Sequence, residues 1–219
     1  MKNRKLHILT YLLAIGSLLI AAILYPSLPD EIPTNWSFNG TVSYSGKITI
    51  FHICGMGILI AILMDLLPKI DPRRKNYLKF NKYYDIFCVF LQVFLLMMNL
   101  MILTESYRPG TLSVPTITMI SIGLLLLIIG NMMPKFKSNF YFGIKTPWTL
   151  SSEEVWYKTH RLGGKCFFLI GLLLIICPLL PLKPTLIYTL TLLSLLPACL
   201  IPTIMSYLWW RQEQKSSQN

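Results

Sequence analysis

Apolar residues in this chain gather into six runs of about twenty, separated by shorter polar stretches: Leu6 to Tyr25, Ile48 to Leu67, Tyr84 to Leu103, Val114 to Met133, Cys166 to Leu182 and Thr185 to Trp209. At a helical rise of about 1.5 Å, roughly 20 apolar residues cross a hydrocarbon core of about 30 Å. The pattern predicts an all-α integral membrane protein with about six transmembrane helices. The first run follows a basic segment, but it is too long for a signal-peptide core and lacks a small-x-small site before Tyr25-Pro26, so it reads as an uncleaved anchor. One connection breaks the rhythm. The polar insertion Pro134 to Lys165 is far longer than the few residues that usually join bundle helices, and long connections in compact domains are usually functional or disordered.

Composition agrees with this layout, since 54% of residues are hydrophobic and only 13% charged. The net charge of +11 raises nucleic-acid binding as a possibility, but the position of the charges argues for membrane orientation. With a cytoplasmic N-terminus, the inner segments hold Lys2, Arg4, Lys5, Lys69, Arg73, Arg74, Lys75, Lys79, Lys82, Lys135, Lys137, Lys145, Lys158, Arg161, Lys165, Arg211 and Lys215. Only Lys47, Arg108 and Lys183 fall outside, the bias of the positive-inside rule. Both termini and the insertion are thus expected in the cytoplasm, with no direct nucleic-acid partner. Residues 1–83 form a two-helix unit with an outer loop at 26–47, and residues 84–219 a four-helix unit with a cytoplasmic loop at 134–165, together expected as one structural domain.

The outer loop carries Pro26, Pro29 and Pro33, then Trp36 and Asn39-Gly40. Prolines favour extended backbone and Asn-Gly favours a turn, which predicts an ordered cap that is not helical. In the insertion, Phe140, Phe142 and Ile144 alternate with Tyr141 and Lys145, predicting a short extended segment that lies against the membrane or re-enters it. Gly143 permits a bend, and Thr146-Pro147 disfavours helix before Trp148. Ser151 with Glu154 reads as a capping box opening a short helix that Gly163-Gly164 ends or bends. On that helix Glu154 pairs with Lys158, and Trp156 and His160 share a face, with Val155, Thr159 and Leu162 beside them. The face would rest on the bilayer or plug the bundle.

Polar residues inside the runs need partners. Asp85, Gln92 and Asn99 recur every seven residues, a spacing that drifts only about 20° per heptad and keeps them on one face. They form a polar seam: either interhelical hydrogen-bonding glue or the lining for a ligand. Asp65 is expected to pair with Lys69 or water. The second and fourth runs align weakly on Pro68 and Pro134 as a parallel repeat, against a background of chance similarity among Leu/Met-rich helices. Cys54, Cys88, Cys166, Cys177 and Cys199 lack metal or disulfide spacing and read as packing residues. His160 has Glu153, Glu154, Ser151 and Thr159 nearby, yet no HExxH, GxSxG or phosphate-binding loop accompanies it, so no enzyme, metal or cofactor is implied.

The run Gly130-Asn131, Pro134-Lys135, Asn139, Gly143-Ile144-Lys145-Thr146-Pro147-Trp148-Thr149-Leu150, Trp156, Thr159-His160-Arg161 and Gly163-Gly164-Lys165 resembles the signature of the SdpI family of bacterial immunity proteins. Leu28-Pro29, Ile32-Pro33-Thr34, Trp36, Gly40 and Lys47 are similar to the small domain that often precedes it. Asn35 stands where the family pattern usually has His, and Lys145 where it more often has Arg, which reduces a bidentate contact to a point charge. The resemblance implies a multi-pass protein of the bacterial plasma membrane that protects its own cell against a secreted, membrane-active peptide toxin. It further implies a signal receiver that holds a cytoplasmic autorepressor at the membrane. Its partners would be membrane lipids, the toxin and that repressor. Pro33, Thr34, Asn35, Trp36 and Gly40 with the polar seam would meet the toxin, and the inner motif would face the regulator. The other readings are a small transporter or exporter of a peptide or lipid-like solute, suggested by the repeat and the seam, and, last, a membrane-bound enzyme acting on lipid or peptide.

Overall fold

The computed structural model describes residues 3–37 and 41–216. Its order is α1 (Arg4–Leu24), a hairpin of β1 (Glu31–Trp36) and β2 (Val42–Gly46), α2 (Thr49–Ile70), α3 (Arg74–Tyr77) and α4 (Asn81–Tyr107). Then follow α5 (Val114–Met132), α6 (Pro147–Ser151), α7 (Glu153–Ile176) and α8 (Pro184–Ser216). Among the described residues six helices are long and apolar enough to cross a membrane: α1, α2, α4, α5, α7 and α8. Their outward faces carry leucines and isoleucines that are largely exposed, such as Leu12, Ile23, Leu169 and Leu196. Exposed apolar side chains all round a bundle suit a lipid solvent.

Hydrogen bonds fix which connections share an end. Asn3, the α2–α4 connection, the insertion and the last turns of α8 meet at one end, through Asn3 N–H to Asp85 (2.8 Å), Asn76 to the Ser138 carbonyl (2.7 Å) and Ser152 to Glu213 (3.0 Å). The β-hairpin and the α4–α5 turn lie at the other. There the Glu105 carboxylate accepts from the Gly110 and Leu112 N–H groups at 2.7 Å each, and Gly110 takes a φ of 78° that favours glycine. Glu105, two residues past the apolar run, closes this turn.

The outer loop is ordered and non-helical, as expected, and pairs as an antiparallel hairpin with Glu31 opposite Gly46 and Trp36 opposite Val42. Its Asn39-Gly40 tip lies outside the described residues. The register breaks between Pro33 and Asn35, leaving Thr34 as a bulge. Ile32 and Leu28 are buried with Ala21, Ile50, Cys54, Ile102 and Leu103, which seats the hairpin on α1, α2 and α4. At the N-terminal end a second core joins Tyr77, Phe80, Tyr84, Phe87, Met132, Met133 and Phe136.

The polar seam is buried and spent on helix contacts. Gln92 donates to the Gly57 carbonyl of α2 (2.9 Å), Asn99 donates to the Ser17 hydroxyl of α1 (2.8 Å), and Asp85 accepts from Asn3. Such bonds average about 0.6 kcal/mol in a membrane protein, and here they fix α4 against α1 and α2. Asp65 pairs with Lys69 (2.8 Å), as expected, and also with His7 of α1 (2.9 Å). Cys54 and Cys88 are buried, and all five cysteines are free thiols.

Three expectations for the insertion change. The fifth span does not begin at Cys166: the Trp156/His160 segment and the span are one helix, α7, which runs straight through Gly163-Gly164. Gly164 sits against Gly130 of α5 and Gly163 against Ile144 of the insertion, so both serve packing and end nothing. The cap of α7 is Ser152, accepting from the Val155 N–H at 3.2 Å, while Ser151 closes the preceding short helix α6. The capping box lies earlier, at Thr146 and Thr149. The segment from Ser138 is a series of bends and not an extended strand. Phe142 turns into the bundle against Phe87 and Phe136, while Phe140 and Tyr141 stay exposed.

Candidate functional site

Two regions merit the name of site: a polar cap at the N-terminal end, and an apolar hollow at the hairpin end. The cap is built on Asn139, which has no exposed surface. Its side-chain oxygen accepts from the Tyr141 and Phe142 N–H groups (3.0 and 2.6 Å), and its amide donates to the Lys137 carbonyl (2.9 Å). Short polar side chains bond well to backbone two or three residues on, which is why Asn suits a tight turn. The Tyr77 hydroxyl bridges from the neighbouring loop, lying 3.2 Å from Asn139 and 3.1 Å from Asp71. Burial, reinforced by the Asp71 carboxylate, raises the Tyr77 pKa well above the ordinary tyrosine value, so the hydroxyl stays a donor.

Asp71 is also buried and accepts from the Arg73 N–H (2.6 Å) and, across the chain, from the Phe140 N–H (2.9 Å). Arg73 reaches back to the Ser138 hydroxyl and to the Leu150 carbonyl (2.7 Å), with its guanidinium 5.1 Å from the centre of the Phe140 ring. The α2–α4 connection therefore clamps the insertion. Asp71, Arg73 and Tyr77 have no sequence motif. Their only signal is a charged, proline-bearing run, Asp-Pro-Arg-Arg, at the end of a span.

His160 holds the other side of the bend. The Ile144 N–H donates to its Nε2 at 3.0 Å, which requires Nε2 to carry no proton; Nδ1–H then donates to the Trp156 carbonyl at 2.8 Å. The imidazole is neutral, stacked on Trp156 with ring centres 4.0 Å apart, and wholly buried. With both nitrogens engaged by backbone, it is a strut. Gly143 takes a φ of 109°, and a Cβ there would collide with the His160 ring. Trp156 donates to the Phe136 carbonyl (2.8 Å). Thr159 is buried beside them, and Gly163 leaves room for Ile144, whose Cδ1 would lie 2.5 Å from an added Cβ.

Thr146 caps α6 and meets Ser206 of α8 (3.1 Å), Pro147 supplies the first helical position, and Trp148 packs on Tyr207 with centroids 5.1 Å apart. Lys145 is exposed and bonds the Tyr141 carbonyl at 3.2 Å. The inner motif thus converges on one cap that ties α2, α7 and α8 together, with Lys137, Phe140, Tyr141 and Lys145 on its open face.

At the hairpin end a hollow of about 440 Å³ opens among the hairpin, α4, α5, α7 and α8. Thr34, Asn35 and Trp36 stand at it together with Met98, Met101 and Met119. A regular strand sends alternate side chains to opposite faces; the bulge at Thr34 relaxes that alternation, so three consecutive motif residues line one hollow. Pro33 is buried behind them, and Gly40 lies outside the described residues. The walls are mainly apolar with a few polar groups, the usual make-up of a small-ligand site. Methionine walls adapt to varied shapes. Asp85, Gln92 and Asn99 do not line it.

Six spanning helices and a cap built from membrane-end loops define a multi-pass cell-membrane protein. Residues 135–206 match the SdpI/YfhL protein family, and residues 12–68 match a domain of unknown function, DUF1648. The chain is 26% identical over 212 residues to a Bacillus subtilis (strain 168) protein named Immunity protein SdpI, covering 95% of this chain and 97% of that one. No solved structure matches the chain.

Proposed function

We propose that this chain is a non-enzymatic immunity protein that protects its own cell from a secreted, membrane-active peptide toxin, met at the hollow beneath Thr34, Asn35 and Trp36. The observation that carries this is the end-to-end similarity to a protein named for immunity. The apolar, methionine-lined hollow supports the point of contact, because it suits an amphipathic peptide that arrives from the bilayer. The N-terminal end is cytoplasmic, on the strength of the basic residues gathered there. The open face of the cap, with Lys137, Tyr141 and Lys145, then presents a surface to a cytoplasmic repressor. Residues 1–83 and 84–219 act as one structural unit, with α4 as the shared wall.

Expression in a toxin-sensitive host tests the reading. The intact protein should confer tolerance to a cognate or neighbouring peptide toxin, and Met98→Trp, which fills the hollow, should lower that tolerance about tenfold, equivalent to ~1.4 kcal/mol of binding. Absence of tolerance from membrane-inserted wild-type protein would sink the assignment. Uptake or export of the peptide by vesicles would instead mark a transporter.

Sidedness has its own measurement. In a background with the native cysteines replaced by alanine, Tyr44→Cys should react with an impermeant maleimide applied to intact cells, and Lys145→Cys only after lysis. The reverse pattern would place the hairpin inside the cell.

A further inference from the structure

At the N-terminal end of the bundle, α7 turns an unusual stripe toward the lipid. Its buried face carries Trp156, His160, Gly163, Ile170 and Leu174. The opposite stripe, at helical spacing, reads Tyr157, Arg161, Lys165, Phe168 and Leu169, all exposed. Two hollows flank it. One, of about 510 Å³, lies over the α5–α7 seam and is lined by Asn131, Tyr157, Arg161, Lys165, Phe168 and Leu169, with Gly130 and Gly164 at its floor. The glycines create the depression, since neither contributes a side chain where the two helices cross. The other, of about 390 Å³, lies between α4 and α5 and is lined by Tyr83, Phe90, Leu127, Asn131, Lys135 and Phe168. Asn131 and Phe168 are common to both.

Polarity is graded along these hollows. Arg161, Lys165, Lys135 and Asn131 gather toward the membrane end, with the Lys135 ammonium 4.4 Å from the centre of the Tyr83 ring. Phe168, Leu169, Phe90 and Leu127 continue toward mid-membrane. Among the described residues no carboxylate lines either hollow, although Glu153 and Glu154 begin the same helix. Glu154 is spent on Lys158 at 2.6 Å. A ligand complementary to this arrangement has an anionic head with hydrogen-bond acceptors and apolar tails that run along the bundle surface. Basic groups next to a bilayer attract anionic headgroups, and Arg adds a fork of donors that matches phosphate oxygens.

We propose that the paired grooves beside Asn131, Arg161 and Lys165 bind an anionic phospholipid, its phosphate between Arg161, Lys165 and Lys135 and its acyl chains on either side of Phe168. This site is remote from the toxin-facing hollow and does not depend on the immunity reading.

The probe is phosphatidylglycerol in phosphatidylcholine nanodiscs holding the full chain, with retained lipid measured by native mass spectrometry after gentle detergent release. Wild-type protein should retain phosphatidylglycerol in preference to phosphatidylcholine. Arg161→Gln with Lys165→Gln should weaken that retention about 25-fold, at roughly fivefold per basic residue near the surface. All the altered side chains are exposed, so folding should be kept; Lys135→Gln alone gives a milder second variant, with about a fivefold loss. Lys75→Gln with Lys79→Gln removes the same charge from the same end, outside the grooves, and should leave retention unchanged. Equal loss in that control pair would reduce the effect to net charge and overturn the site. Unaltered retention in the Arg161/Lys165 pair would overturn it as well.

Discussion

Gly130→Leu should lower the stability of the protein by about 3 kcal/mol, the upper end of the usual cost of overpacking, read as an earlier loss of tertiary signal on heating in detergent. A Cβ at Gly130 would lie 2.6 Å from both the Gly164 carbonyl oxygen and the Phe168 nitrogen, and a Cβ at Gly164 would lie 2.6 Å from the Gly130 oxygen. Seven residues further along each helix the contact repeats, with Gly123 and Gly171 meeting each other's carbonyl oxygens at 2.7 and 2.6 Å. These obstacles are backbone, so no side chain can rotate aside. Helices in lipid associate by close van der Waals packing that small residues allow, and a leucine would part α5 from α7 along the whole seam. Intrinsic propensity acts the other way, because leucine favours helix over glycine by close to 1 kcal/mol. Gly55→Leu makes the same chemical change on α2, where nothing lies within 4 Å of the added Cβ. It should be neutral or slightly stabilising, and matching melting curves for the two variants would refute the seam.

Asn139→Leu should open the cap while leaving α1 and α4 folded. The replacement is similar in bulk, yet it withdraws the acceptor of two N–H groups and the donor to the Lys137 carbonyl. Each buried polar group left without a partner costs about 1–3 kcal/mol, so a loss of roughly 3–5 kcal/mol confined to the cap is expected. Hydrogen exchange is the discriminating readout. The Tyr141 and Phe142 amides should lose their protection first, and helix amides around Asn99 should keep theirs. Lys145→Gln, on the exposed face of the same bend, should leave the exchange pattern as it is. If Asn139→Leu exchanged like wild type, the cap would not be held through this residue. Because the cap is remote from the hairpin hollow, reduced toxin tolerance in this variant should track the amount of folded protein.

These two expectations differ in how far the chain itself announces them. Gly123 and Gly130, and Gly164 and Gly171, are each seven apart, so the spacing was available in the sequence; the partner of each pair was not. Gly163-Gly164 reads as a helix end because glycine is a poor helix former, and packing of Gly164 on α5 and of Gly163 on Ile144 makes a continuous α7 favourable. The aromatic alternation around Phe142 reads as an interfacial strand because local spacing does not reveal that Phe87 and Phe136 are waiting for that ring. Ser151 and Ser152 are equally good caps by residue type, and the short α6 ending at Ser151 decides between them.

The spans, the polar character of the insertion, the ordered outer loop and the shared face of Trp156 and His160 all follow from the sequence. Transfer of apolar residues into a bilayer is close to additive along a segment, and helical periodicity is a local rule. What the tertiary structure decided is which polar groups satisfy one another. Arg73 finds Leu150, Asp71 finds Phe140 and Asn99 finds Ser17, partners separated by 77, 69 and 82 residues along the chain. A buried polar group left without a partner costs about 1–3 kcal/mol, and which distant residue supplies that partner is set by how the helices and loops pack.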